Sequence, residues 1–156
     1  MKASVSDQRS ILDIQKFDHQ TATLKNKAAT LPELAELSTT TIKQNNVRDL
    51  RIAAETELND VKRELARAEG DVEQIVTRIE RDEKRLASGT GTPKELEQTQ
   101  HELATLAARR AELEEVELEI MLRVDGLRER IETLSAEENE LGLVIADLNI
   151  RKENAL

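Results

Sequence analysis

Two histidines, a cluster of small hydroxyl residues and a Glu-rich run are the places where this sequence could do chemistry. His101 has Glu97 one turn before it and Glu102 beside it. A His and a Glu four residues apart on a helix can share a metal ion, but no second His joins them. The plainer reading is a solvated histidine on a charged helix. His19 follows Asp18 directly, and neighbours in a helix point in different directions, which argues against a catalytic dyad. Ser88, Thr90 and Thr92 sit in "SGTGTPKEL", a stretch rich enough in glycine to suggest a phosphate-binding loop. Such a loop needs G-x-x-x-x-G-K-[ST] between a buried strand and a helix. Here Pro93 stands before Lys94, no second glycine is correctly spaced, and helical periodicity precedes the stretch. Thr92, Pro93 and Glu95 instead supply an N-cap, a first-turn proline and a capping-box acid. A glycine, Gly89 or Gly91, can end the preceding helix in the left-handed conformation. "ELEEVELEI" could attract cations, but it reads better as solvated flanks around Leu113, Val116 and Ile120, since tight calcium binding needs a loop of oxygen ligands. No catalytic, metal or cofactor residue is assigned, and the chain is not expected to be an enzyme.

The elements that carry these residues are helices. Of 156 residues, 35% are charged and 38% hydrophobic, with one Phe and no Trp, Tyr or Cys. A globular core of this size normally uses several aromatics, so the composition points to long helices packed along narrow seams, with few deep pockets. The fold expected is all-α: a long antiparallel coiled-coil hairpin with a short N-terminal helix packed at its base. The helices are placed at 6–29, 32–87 and 93–153, the tip at 88–92, all in a single domain.

The first helix puts Ile11, Leu12, Ile14, Phe17, Thr21, Leu24 and Ala28 near one face, with Ser4 or Ser6 as its cap. A turn follows at Thr30 to Pro32, where Thr30 and Glu33 fit a capping box. In the second helix Leu58, Val61, Leu65, Ala68, Val72, Ile75, Ile79, Asp82 and Leu86 alternate three and four apart, a heptad seam. Before Leu58 the pattern is looser, with Leu34, Leu37, Ile42, Val47, Leu50 and Ala54, which suits contact with two neighbours. The third seam runs Leu96, Thr99, Leu103, Leu106, Arg110, Leu113, Glu117, Ile120, Val124, Leu127, Ile131, Leu134, Glu138, Leu141, Ile145 and Leu148. Arg110, Glu117 and Glu138 are expected at the seam edge, stems packed and heads in water. The short loop makes the two long helices antiparallel, roughly 80 Å long at 1.5 Å per residue. It sets Leu86 near Leu96, Ile79 near Leu103 and Leu58 near Val124. Helix one is expected to fold back on the base, burying Phe17 with Ile14, Leu34, Leu37 and Leu148.

Charge and composition narrow the partners. Net charge is −9, with Lys and Arg interspersed among acids as on a solvated helix face, which disfavours nucleic-acid binding by this segment alone. No apolar run approaches the roughly 20 residues of a membrane span, and the opening "MKASVSDQRS" lacks a signal core, so the expected location is cytoplasmic. The expected partner is a protein, met at the tip through Lys94, Glu95, Gln98 and His101, or at the base. Exposed seam edges could also join two hairpins as a homodimer.

Three segments resemble a bacterial family with an N-terminal coiled-coil hairpin and a C-terminal four-cysteine zinc ribbon. "ILDIQKFDHQTATLKNKAATLP" is similar to the family's opening helix through Ile11, Ile14, Gln15, Asp18, Leu31 and Pro32. The tip resembles the family pattern through Ser88, Lys94, Glu95, Leu96, Gln100, His101 and Glu102. "RRAELEEVELEIMLRVDGL" follows the tip much as in actinobacterial-type members. The resemblance implies a cytoplasmic, non-enzymatic adaptor, some relatives being associated with flagellar or type III secretion components, with an alternative sigma factor, and with RNA. Family members continue into paired Cys-x-x-Cys motifs, whereas this sequence has no cysteine, so it looks like the coiled-coil part alone. Zinc is expected only in such a ribbon. A rival expectation makes the arm a spacer or dimerisation element for a nucleic-acid-binding ribbon.

Overall fold

The computed structural model describes residues 4–30 and 32–155, the side chains of 28–30 excepted. The described residues form three helices and no strand: α1 (Val5–Thr30), α2 (Pro32–Ser88) and α3 (Pro93–Ala155). Ser4, rather than Ser6, caps α1. Its Oγ accepts from the Asp7 N–H at 3.2 Å, and the Asp7 carboxylate accepts from the Ser4 N–H at 3.3 Å, a reciprocal capping box. The capping box expected between Thr30 and Glu33, and the turn through Leu31, lie outside the described residues.

The chain divides into two compact units. One, Leu50–Leu134, is an antiparallel pair made from the second part of α2 and the first part of α3. Along α2, Ala54, Val61, Ala68 and Ile79 are buried, with Leu58, Leu65, Val72, Ile75 and Leu86 half-buried between them. Along α3, Leu106, Ile120, Val124 and Leu134 alternate in the same way with Leu96, Leu103, Leu113, Leu127 and Ile131. Two positions in seven face the partner helix, which is what a seam only one side chain wide requires. Val61, Ala68, Ile120 and Val124 form its centre, with Leu58, Leu65 and Leu127 packed against them. The expected Leu58–Val124 register falls inside this cluster. Val61, at 1% exposed, is the most deeply buried side chain among the described residues, and its burial contributes about 2 kcal/mol. Arg123 bridges the helices to Glu64 at 2.9 Å, with both side chains half in water.

The other unit combines Met1–Asp49 with Ser135–Leu156. Val47 and Leu148 are buried there, flanked by half-buried Leu34, Leu37, Thr40 and Gln44 on α2 and Glu138, Leu141 and Ile145 on α3. The Gln44 amide donates to the Glu138 carbonyl at 3.4 Å, and Arg48 pairs with the Glu138 carboxylate at 3.4 Å. Glu138 is therefore more enclosed than a seam-edge residue with its head in water; its side chain is 17% exposed and answered across the seam.

Two expectations about packing need correction. The stretch before Leu58 does not present a wider apolar face. Ile42 and Leu50 point to solvent, while Thr40, Gln44 and Arg51 take the inward places at regular three-and-four spacing. Helix α1 does not pack on the base either. Every described side chain from Ser4 to Lys27 is exposed, and Phe17 is 67% exposed. Leu148, its expected neighbour, is already 3% exposed with Phe17 and Ile14 both in solvent, so the α2–α3 seam closes on itself and leaves no groove for α1 to fill.

Candidate functional site

The tip of the Leu50–Leu134 unit is built by local chemistry. Helix α2 runs directly into it, so no strand precedes the glycines and the geometry of a phosphate loop is absent. At the end of α2, Ser88 turns its hydroxyl back to the Arg85 carbonyl at 2.8 Å, and the Gly89 N–H donates to the Leu86 carbonyl at 3.2 Å. Both glycines then take left-handed φ values, 65° at Gly89 and 121° at Gly91. Thr92 begins α3 with a reciprocal capping box. Its hydroxyl accepts from the Glu95 N–H, and the Glu95 carboxylate accepts from the Thr92 N–H, each at 3.2 Å. That carboxylate occupies the helix N-terminus where an anion would otherwise sit.

Behind the turn, the seam changes character. Asp82 is 2% exposed and Thr99 is 7% exposed, at positions that hold aliphatic residues further from the tip. Thr99 satisfies its own hydroxyl by donating to the Glu95 carbonyl at 3.0 Å. Asp82 has no such solution. Its Oδ2 is buried with no hydrogen-bond partner, and its Oδ1 lies 3.8 Å from the guanidinium of Arg81, a neighbour that is mostly in solvent.

At the tip an open groove of about 430 Å³ is lined by Arg85, Thr90, Glu95, Leu96, Gln98, Thr99 and Glu102. A second depression, shared through Gln98 and Glu102, brings in Arg78 and His101. Of the four residues expected at the tip, Gln98 and His101 therefore line surfaces shaped by both helices. Glu95 lines the groove too, but its carboxylate is engaged in the cap. Lys94 is exposed on the first turn of α3 and borders neither surface. Arg78, Arg85 and Glu102 belong to the same surfaces, and a reading of α3 alone does not find the two arginines. The antiparallel register does, since it sets the last turns of α2 beside the first turns of α3.

The other candidate chemistry is dispersed. His19 lies on exposed α1, and no group of three or more His, Asp and Glu is gathered for a metal ion among the described residues. In the Glu-rich run Leu113 and Ile120 face the seam, but Val116 is 47% exposed and Glu117 takes the inward place. Arg110 packs its stem and pairs with Glu114 at 2.8 Å, and Arg109 pairs with Glu112 at 3.1 Å. These are surface pairs within one helix, worth about 0.3–0.5 kcal/mol each. No described helix is long and apolar enough to cross a membrane.

Comparison with known proteins agrees with this architecture. The chain is 34% identical over 152 residues to uncharacterized proteins from two strains of Mycobacterium tuberculosis, a match covering 95% of this chain. It spans 59% of the length of those relatives. A solved structure from Mycobacterium smegmatis, 29% identical, superposes with a TM-score of 0.84 over all of this chain and 64% of its own. The model of the CT398-like coiled coil hairpin domain matches residues 14–156. With two long helices packed along one heptad seam and that match over nearly its whole length, the chain belongs to the CT398-like coiled coil hairpin domain family.

Proposed function

We propose that this chain is a non-enzymatic structural arm that binds a protein partner through its tip. The observation that carries the reading is the groove at the tip, where Arg85, Gln98 and Glu102 from two helices line an open, mostly polar depression beside a capped turn. Mixed charge around a shallow depression suits a polar peptide surface better than a small substrate, which needs an enclosed apolar pocket. The flanks of α2 and α3 carry single exposed apolar residues such as Ile52, Leu118 and Leu122 among their charges, whereas the tip gathers polar side chains from both helices into one groove. Binding at a rigid turn also loses little conformational entropy. Work in the cytoplasm, as an adaptor between larger components, follows from this reading.

The test is affinity capture from the producing cells with the wild-type chain and with Gln98→Ala/His101→Ala and Arg85→Ala/Lys94→Ala variants. The first pair should reduce recovery of specific partners by tenfold or more at unchanged helicity. Equal recovery by both variants would remove the tip from consideration. The sequence resemblance supports a finer reading, in which the arm is joined to a four-cysteine zinc ribbon; relatives longer than this chain have room for one. Intact mass and zinc content of the protein from its own cells test that part. A zinc-free protein of 17.6 kDa would refute it.

A further inference from the structure

The helix whose described side chains are all exposed carries a seam of its own. In α1, Ile14, Phe17, Thr21 and Leu24 repeat at three-and-four spacing, the spacing that α2 and α3 use to pair. Ile14, Phe17 and Leu24 are each more than half exposed. An isolated helix of 26 residues in water gains little from propensity alone, so an uncovered heptad face is a cost that a partner helix would remove. Charge identifies the partner. Up to Asp18, α1 carries Asp7, Asp13 and Asp18 against Arg9 and Lys16, whereas beyond it the helix carries Lys25 and Lys27 and no acid. Such a helix is complementary to itself only when reversed.

We propose that α1 is a dimerisation helix, pairing antiparallel with α1 of a second copy of this chain about a two-fold axis near Gln20. In that register Ile14 meets Leu24 of the second copy, and Phe17 meets Thr21, each twice by symmetry. The large ring of Phe17 lies against the small side chain of Thr21. Along one edge Asp13 faces Lys27 of the second copy, again twice, and the two Gln20 side chains meet at the axis. Asp18 approaches its own copy on the other edge, which opposes the pairing and keeps the association weak. A parallel pair would instead set each acid and each base beside its own kind, at a cost that grows along the whole helix. Helix α1 and the tip belong to different compact units, so changes to α1 should leave tip-dependent capture unaltered.

Sedimentation equilibrium of the full chain over roughly 5 to 500 µM tests the proposal directly. The wild type should shift from monomer to dimer across that range. Phe17→Asp should remain monomeric throughout, with the helicity of α2 and α3 retained. Lys27→Glu should weaken dimerisation about tenfold, and adding Asp13→Lys should restore it, which loss of helix alone would not produce. The chain has no cysteine, so single introduced cysteines report the geometry cleanly. With a short bismaleimide, Gln20→Cys should cross-link to its own copy. Ser10→Cys should not, since the two sites would lie about 27 Å apart in the antiparallel pair. A monomer at every concentration, a dimer indifferent to Phe17→Asp, or efficient cross-linking through Ser10→Cys would each overturn the assignment.

Discussion

Replacing the buried carboxylate near the tip should stabilise the protein. Asp82 is 2% exposed, and its Oδ2 is enclosed with no donor. Leaving such a group unsatisfied costs about 1–3 kcal/mol. Its one ion pair, with Arg81 at 3.8 Å, returns little, because the arginine side chain is 68% exposed and its charge is screened by water. Asp82→Leu removes the orphan and supplies the aliphatic side chain that the seam carries at Ile79 and Leu86 on either side, a burial worth about 2 kcal/mol. Replacements of buried ionic groups by well-packed apolar ones span neutrality to a gain of about 4 kcal/mol. The expected gain here is about 2–3 kcal/mol. With a urea dependence of about 2 kcal/mol per molar, the unfolding midpoint should rise by roughly 1 M at unchanged slope. Amide exchange in the turns nearest Asp82 and Thr99 should slow more than exchange around Val61, because the change is local. A midpoint that stays put or falls, with the slope preserved, would show that the carboxylate is stabilised where it lies and would refute the argument.

The remaining predictions concern the seam and the turn. Val61→Ala should lower stability by about 2 kcal/mol in urea unfolding, whereas Ile42→Ala and Leu50→Ala should stay within about 0.5 kcal/mol, because both point to solvent. Gly91→Ala should be destabilising by about 1–2 kcal/mol: its φ is 121°, and an added Cβ would come within 2.8 Å of the Glu95 carboxylate. Thr92→Ala should cost about 1 kcal/mol, seen as earlier thermal loss of helicity, by leaving the Glu95 N–H without its acceptor.

The sequence made some of this plain and hid the rest for identifiable reasons. Each of the sixteen seam positions named along α3 is buried or half-buried, because aliphatic residues there recur often enough to hold the phase past Arg110, Glu117 and Glu138. The early part of α2 misleads because its inward places hold Thr40, Gln44 and Arg51, while Ile42, Leu50 and Ile52 face water. Apolarity and position part company there, and only the phase set by Leu58 onward recovers the seam. Helix α1 misleads in the opposite sense: an apolar face is real, but amphipathicity says that a helix wants a partner and not which one. At the tip, the capping box was readable from Thr92 and Glu95. The groove was not, since Arg78 and Arg85 join it only through the cross-helix register, and a buried Asp82 can be seen in the sequence only as a break in the aliphatic pattern.

The strict seven-residue repeat also sets how a neighbour can meet the arm. Seven residues fall about 20° short of two full helical turns, so helices that keep such a repeat in contact must coil left-handedly around each other. The α2 part of the Leu50–Leu134 unit, Leu50 to Ser88, has a rise of about 58 Å. At a pitch near 150 Å, the pair rotates through roughly 140° over that distance. Any stripe of flank residues thus winds well around the arm before reaching the turn. A flat-faced protein can follow it for two or three heptads and then loses it, so long sideways contact is reserved for a partner that coils as well. For a compact globular partner, the end of the arm is the surface that keeps one orientation.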